Sequence, residues 1–395
     1  MSEQQSWLNR GQKVLIQNYN RMPFVMARGE GCFVWDSDGR RYLDLFAGFG
    51  GGILGHCHPE LVEAASAQAK VLWHVGNVYY NQPQIEFAET LNRTAFEGQA
   101  FFCQSGAEAD EAACKIARYR GNQRSPKRWK IVSLHKSFHG RTLAMLAATG
   151  NPKPRAGFEP DVPGFINVEP GNFEALLKAV DDEVCGIILE PIQGEGGVNL
   201  YPPDYLPKVR ELCDRLDLTL IFDEVWTGCG RTGKWFGHQH FGVLPDVMTL
   251  GKAVGGGLPV GVMFARPHIA KVWGPGTHGS TLGGNGIGMA VAKRIFDIID
   301  RDGLLAHAAS LGQYAVGRLQ GEAKIKDKIA EVRGKGLMLG IDLKEPPAGL
   351  VERAMERGVI VNLTANKVIR LAPPVNIDKG LWEQGLDAVV ELIAG

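Results

Sequence analysis

LTLIFDEV, residues 218 to 225, runs apolar on both of its alternating faces and then meets two carboxylates, Asp223 and Glu224. A strand of that kind needs cover above and below, as in the middle of a parallel sheet flanked by helices. On its N-terminal side lies PPDYLPKVRELCDRLD (202–217), with Tyr205, Val209, Leu212 and Leu216 at helical spacing, and before it CGIILEPI (185–192), a second run of the same type. KIVSLH (130–135), FFCQ (101–104), DVMTLGK (246–252) and VGVMFAR (260–266) are further short apolar runs that end in polar residues, and AEADEAACKIARYR (107–120) reads as a helix between two of them. Strands alternating with helices predict an α/β fold with a largely parallel sheet across roughly 100 to 270. Such sheets bind ligands beyond the carboxyl ends of their strands. Outside that block, FVWDSDGRRYLDL (33–45) carries a hairpin signal, while AVAKRIFDIIDRDGLL (290–305), VRGKGLMLGIDL (332–343) and a C-terminal helix suggest a smaller α+β lobe that the N-terminal strands complete.

The 395 residues exceed what one hydrophobic core usually organises. Lys and Arg number 43, as do Asp and Glu, so no net field exists to hold a nucleic acid or an anionic membrane surface. No apolar run approaches a membrane span, and the polar start MSEQQSWLNRGQK has no signal-peptide core, which leads to the expectation of a soluble, cytoplasmic protein. Seven cysteines without a C-x-x-C pair fit reduced thiols. Glycine is the outlier, 51 residues against a usual share of about 7%. The glycines cluster at 48–55, 194–197, 228–237, 251–257 and 283–288, as loops built around something bound. Three short motifs do not carry a function. Gly50, Gly52 and Gly55 match a dinucleotide fingerprint but lack its acidic partner; GCGRTGK (228–234) has Trp235 where a P-loop needs Ser or Thr; His56, Cys57 and His58 have no further metal ligand at a recognisable spacing.

Five elements instead point to one ligand that has a phosphate, a basic aromatic nitrogen and an aldehyde, which is pyridoxal 5'-phosphate. Ser105, Gly106 and Ala107 stand between a strand and a helix, where free N–H groups hold a phosphate, although an ordinary helix cap uses the same residues. Asp223 ends the most apolar strand and suits a protonated ring nitrogen, or else is a structural carboxylate. Lys252 ends VMTLGK ahead of a glycine-lined loop in which a lysine can lose its proton and bond an aldehyde. Phe138, after KIVSLH, offers a ring for stacking or for core packing. Thr281, within Gly279 to Gly284, adds a hydroxyl.

SGAEADEAACKIAR, SFHGRT, LEPIQGEGG, IFDEVWTGCGRTGK, LGKAVGGGLPVG, HGSTLGGN and RLAPP together resemble the class III, or omega-type, pyridoxal-phosphate aminotransferases over nearly the whole chain. Within that family, RGEGCFVWDSDGRRYLDLFAG and LGHCHPELVEA most resemble the N-acetylornithine aminotransferases of arginine biosynthesis. The resemblance implies a fold type I, aspartate-aminotransferase-like homodimer: residues 1–58 contributing to a small domain, 59–289 forming the large cofactor-binding domain and 290–395 the C-terminal small domain. It implies Lys252 as the cofactor-bonding lysine and general base, Asp223 as the pyridinium partner, Phe138 as the stacking ring, Ser105, Gly106 and Ala107 on the phosphate with Thr281 from the other subunit, and Arg141 and Arg370 on substrate carboxylates. The implied reaction transfers an ω-amine to 2-oxoglutarate. Succinylornithine, 4-aminobutyrate or carrier-bound lysine as donor, an aminomutase of the same fold, and a non-enzymatic scaffold are the alternatives. The chain departs from the family at Trp226, where glutamine is usual, at Gln104 and Gly286, and at Gly50, Gly51 and Gly52. Phe49 replaces the tyrosine of ornithine aminotransferases, which favours an acylated donor. Glu195 in QGEGG is expected to pair with Arg370 when a substrate brings no second carboxylate, because an unpartnered buried guanidinium is costly.

Overall fold

Seven strands form the central sheet of the computed structural model, which describes residues 3–395. Their spatial order is Gln99–Cys103, Gly261–Ala265, Val247–Leu250, Thr219–Asp223, Val184–Leu189, Lys130–Leu134 and Phe165–Val168. Only Gly261–Ala265 runs against the others, being antiparallel to both of its neighbours. The remaining strands therefore end at one edge.

Strand alternation divides the core between two layers. Ile131, Ile188, Ile221 and Val247 face the helix Gly106–Asn122 through its Ala112, Ala113, Ile116 and Ala117. Val132, Leu134, Ile187, Leu189, Leu220 and Phe222 face the helix Tyr205–Leu216 through Leu206, Val209, Leu212 and Cys213. All six residues of Val184–Leu189 and all five of Thr219–Asp223 are buried, as continuous apolar runs covered on both sides must be.

Two smaller sheets complete the fold. Met26–Glu30, Phe33–Asp36 and Arg41–Asp44 form an antiparallel set, and the DSDG turn is held by Asp36 Oδ1, which accepts from the amides of Asp38 and Arg40. Ile329–Lys335, Met338–Leu343, Val368–Leu371 and Asn362–Thr364 form the other, wholly antiparallel. The N-terminal strands do not extend that second sheet. They take only Val359–Ile360 from the C-terminal region, in parallel with Arg41–Asp44. A continuous core running from Leu45 and Ile53 through Phe87, Phe264 and Phe296 to Trp382 and Leu386 joins these layers. No helix among the described residues is long and apolar enough to cross a membrane.

Candidate functional site

The residues that follow the parallel strands converge because those strands end together. Asp223 closes Thr219–Asp223, Glu190 follows Val184–Leu189, Phe138 and His139 follow Lys130–Leu134, and Lys252 follows Val247–Leu250. The helix Gly106–Asn122 begins beside them. Gly106, Ala107, Asp110, Phe138, Arg141, Glu190, Glu195, Asp223, Trp226 and Lys252 all line one cavity of about 250 Å³.

At the helix start, Ser105 is the cap: its Oγ accepts from the Glu108 amide at 3.2 Å and contacts Glu108 Oε2 at 3.1 Å. The Gly106 and Ala107 amides, in the first turn, have no carbonyl one turn earlier to bind and border the cavity. Close approach positions Lys252 here, since a Cβ on Gly251 would lie 2.9 Å from the Gly106 nitrogen. Ser105 itself is exposed and does not line the cavity. Thr281 is also exposed and away from the cavity of its own chain.

Asp223 is two residues beyond Ile221 and so shares its face, the one covered by the Gly106–Asn122 helix. This parity explains why Asp110, one turn into that helix, meets it. Asp110, His139 and Asp223 present ligand atoms within 4.8 Å of one another. Asp223 Oδ2 lies 2.8 Å from His139 Nδ1, and its Oδ1 accepts from the Val225 amide at 3.0 Å. Asp110 Oδ1 accepts from Thr249 Oγ1 at 2.6 Å. Burial, and then the charge of Asp223, push the Asp110 carboxyl well above the usual carboxylate range. The same two causes raise Glu190 to about 7, although its oxygens accept from the amides of Phe138 and Gly194. Burial also lowers the Lys252 amine, against the pull of Glu195, Asp223 and Glu190. Burial thus favours the neutral form of an amine that faces a cluster of carboxyl groups.

Arg370, on Val368–Leu371, is buried behind Glu195, with Nη1 3.0 Å from Glu195 Oε1. Its other acceptors are neutral, Asn362 Oδ1 at 2.8 Å and the Gly194 carbonyl at 3.3 Å. Arg141 is exposed, 5.6 Å from the Phe138 ring.

Trp226 is buried with its indole N–H unpartnered. The Lys252 amine lies 5.0 Å and the Arg370 guanidinium 4.6 Å from its ring. A Cβ on Gly50 would collide with the indole nitrogen and one on Gly194 with the six-membered ring, so both glycines are required by the size of this side chain.

Sequence reasoning assigned no role to Asp110, His139 or Glu190. Two of them left a signal. Glu190 ends its apolar run just as Asp223 does, and Asp110 shares the apolar stripe of Ala113, Cys114 and Ala117 on its helix. His139 left none, since its partner comes from a different strand.

Residues 15–393 match the family described as aminotransferase class-III. The chain is 44% identical to the acetylornithine aminotransferase of Caldanaerobacter subterraneus subsp. tengcongensis, over 97% of this chain and 98% of that protein. Among solved structures, it is similar to the ornithine aminotransferase of Toxoplasma gondii, which has been crystallised with PLP in partial occupancy at its active site. There the TM-score is 0.95 at 30% identity, covering 99% of this chain and 94% of that one. The acetylornithine aminotransferase of Elizabethkingia anophelis gives a TM-score of 0.87 at 31% identity, covering 100% and 99%.

The raised carboxyls make stability pH-dependent in a stated direction. Glu190 binds its proton more tightly in the fold than in the unfolded chain, so its contribution is complete below its ordinary value of 4.5 and is lost as the pH rises toward and through 7, and the raised Asp110 carboxyl acts in the same direction. In urea titrations of the ligand-free protein, Glu190→Gln should flatten the fall in unfolding free energy between pH 5 and 8 by up to about 3 kcal/mol. An unchanged slope would remove Glu190 as its source.

Proposed function

The chain belongs to the class-III aminotransferases, and on that premise we propose that it transfers the ω-amino group of N-acetylornithine to 2-oxoglutarate, giving a semialdehyde and glutamate. The observation that carries this reading is the convergence of Lys252, Asp223, Phe138 and the Gly106 and Ala107 amides on one cavity. The activity of the curated relatives supports the acylated donor. So does Phe49, which offers no hydroxyl to a free α-amine.

The residues fit pyridoxal phosphate. Three buried carboxyl groups, Asp110, Glu190 and Asp223, share a cavity with the half-buried Lys252, whose amine is itself disfavoured as a cation by desolvation. Such a site favours a ligand that brings a positive atom, and a protonated ring nitrogen is one. The free helix amides suit its phosphate and the Phe138 ring its face. When bound, the cofactor supplies an aldehyde carbon that bonds amines and a ring that withdraws electrons from the bonded carbon. Asp223 would hold the proton on the ring nitrogen, with His139 orienting its carboxylate. Lys252 Nζ, whose neutral form desolvation favours, would take the proton from the substrate's amine-bearing carbon and return it during the transfer. Lys252→Ala should lower turnover by on the order of 10³-fold or more, and borohydride treatment of the wild type should attach the cofactor's mass to the peptide containing Lys252. Turnover within about tenfold of wild type in Lys252→Ala would sink the assignment.

Glutamate carries a carboxylate beside its reacting amine and an ω-amine does not. Glu195 supports a gate between the two substrates: it lines the cavity and its carboxylate covers Arg370, whose side chain is only 2% exposed. With Glu195 aside, the Arg370 guanidinium would be left for an incoming α-carboxylate. Replacing Glu195 with Ala should slow the half-reaction of the ω-amine by about tenfold, since a buried guanidinium loses its partner, while that of glutamate is spared or improved. Equal losses in both half-reactions count against the gate.

We infer a cytoplasmic homodimer. Trp73, Val78, Tyr79, Tyr80 and Leu282 are exposed large apolar residues, and Asn77 Nδ2 ties their segment to the glycine loop by donating to the carbonyls of Ser280 and Gly283, each at 2.8 Å. An apolar patch of this kind supports a partner surface, and a second copy would bring its Thr281 toward this chain's phosphate site. The cysteines are all free thiols, as in a reducing compartment. Sedimentation of the holoprotein from the soluble cell fraction should give a two-chain mass at micromolar concentration; a fully active monomer would refute the shared site.

A further inference from the structure

Outside the catalytic cavity lies a wider one of about 860 Å³, and the two share Phe138, Arg141 and Glu195 as common walls. Five cationic side chains line the outer space: Lys136, Arg141, Lys153, Arg333 and Lys367. Two carboxylates, Glu195 and Asp342, oppose them. Both are already engaged, Glu195 by Arg370 at 3.0 Å and Asp342 by Arg333 at 3.0 Å and Lys367 at 2.8 Å. Arg333 is further shared with Glu331. Lys136, Lys153 and Arg141 have no carboxylate partner among the described residues, and all three are exposed. A chain of zero net charge thus gathers unpaired positive charge at the mouth of the cleft that holds Lys252.

We propose that this vestibule is an electrostatic filter that captures anionic carboxylate substrates and sorts the donors by net charge. The inference rests on the transaminase reading and adds to it. At neutral pH 2-oxoglutarate is a dianion, glutamate a monoanion, N-acetylornithine a zwitterion without net charge, and free ornithine a net cation. Acylation of the α-amine removes one of ornithine's two ammonium charges and with it the net positive charge that the vestibule would repel. A low-dielectric cleft lined by one sign of charge focuses its field, raising the local concentration of the opposite ion and its rate of entry. The field also opposes a cationic donor before any contact with the catalytic groups, so part of the preference for an acylated donor is exerted at the mouth.

Each substrate then has its own response to salt, because the Debye length shrinks from about 30 Å at 0.01 M to about 10 Å at 0.1 M. In half-reaction kinetics with potassium chloride from about 10 to 200 mM, kcat/KM should fall by about threefold to tenfold for 2-oxoglutarate, stay level for N-acetylornithine and rise for ornithine. The double variant Lys136→Gln with Lys153→Gln should halve the salt response of 2-oxoglutarate or reduce it further, with kcat unchanged. Calorimetry with glutarate, a dicarboxylate that lacks the reacting carbonyl, reads the vestibule without turnover: salt should weaken its binding to the wild type and act less on the double variant. A common salt response for the three substrates, or wild-type salt dependence of glutarate binding in the double variant, overturns the filter. Absence of amino transfer from every donor at every salt concentration overturns the transaminase reading instead, and glutarate binding still decides the vestibule.

Discussion

Buried negative charge at one edge of the sheet is the constraint to which the rest of the molecule answers. Asp110, Glu190 and Asp223 lie within a largely dry region, where an unpaired carboxylate is costly. The protein offsets that cost in three ways. His139 and the Val225 amide hold Asp223, backbone amides hold Glu190, and Asp110, whose protonated form burial favours, accepts a hydrogen bond from Thr249. What remains is a region with a demand for a positive atom that no side chain supplies permanently, since burial also favours the neutral form of Lys252. The same desolvation that makes the cluster expensive therefore selects the ligand and keeps the lysine able to accept a proton.

Parallel strand direction is what makes the cluster possible. Had Val184–Leu189 or Lys130–Leu134 run against Thr219–Asp223, Glu190 or His139 would stand at the opposite edge. The alternation of side chains then decides which of the converging groups meet. Asp223 shares the face of Ile221, so it meets the helix that carries Asp110 and begins with the free amides of Gly106 and Ala107. Direction brings the groups to one edge and parity selects the side.

Trp226 shows the cost of a large side chain in such a place. Its indole occupies space left by Gly50 and Gly194, and it stands near both basic side chains of the site, Lys252 and Arg370. The segment beside it is a run of left-handed backbone, Ala47, Gly48, Phe49 and Gly50, of which two residues are not glycine. Phe46, at the start of that run, meets the indole edge-on at 6.0 Å. That strained backbone packs against Trp226, which itself walls the cavity. Charge at the inner wall is paired, in Glu195 with Arg370, whereas Lys136, Arg141 and Lys153 at the outer mouth have no carboxylate partner among the described residues.

The sequence by itself determined the elements and the residues that end them. LTLIFDEV and CGIILEPI are buried runs whatever surrounds them, and Asp223 and Lys252 stand out because polarity changes abruptly at a strand end, a property of neighbours along the chain. The motif resemblance also reached the family from those same local stretches. Only the tertiary structure decided which ends meet. The partnership of His139 with Asp223, the position of Asp110 beneath it and the room that Gly50 and Gly194 leave for Trp226 depend on strand order, face parity and close packing between distant segments. The N-terminal strands illustrate the same limit: their hairpin was legible in the DSDG turn, but their pairing with Val359–Ile360 rather than with the sheet of Val368–Leu371 was not. Periodicity records which face of an element is apolar, and the partner of that face is chosen by the register and packing of residues far apart in the chain.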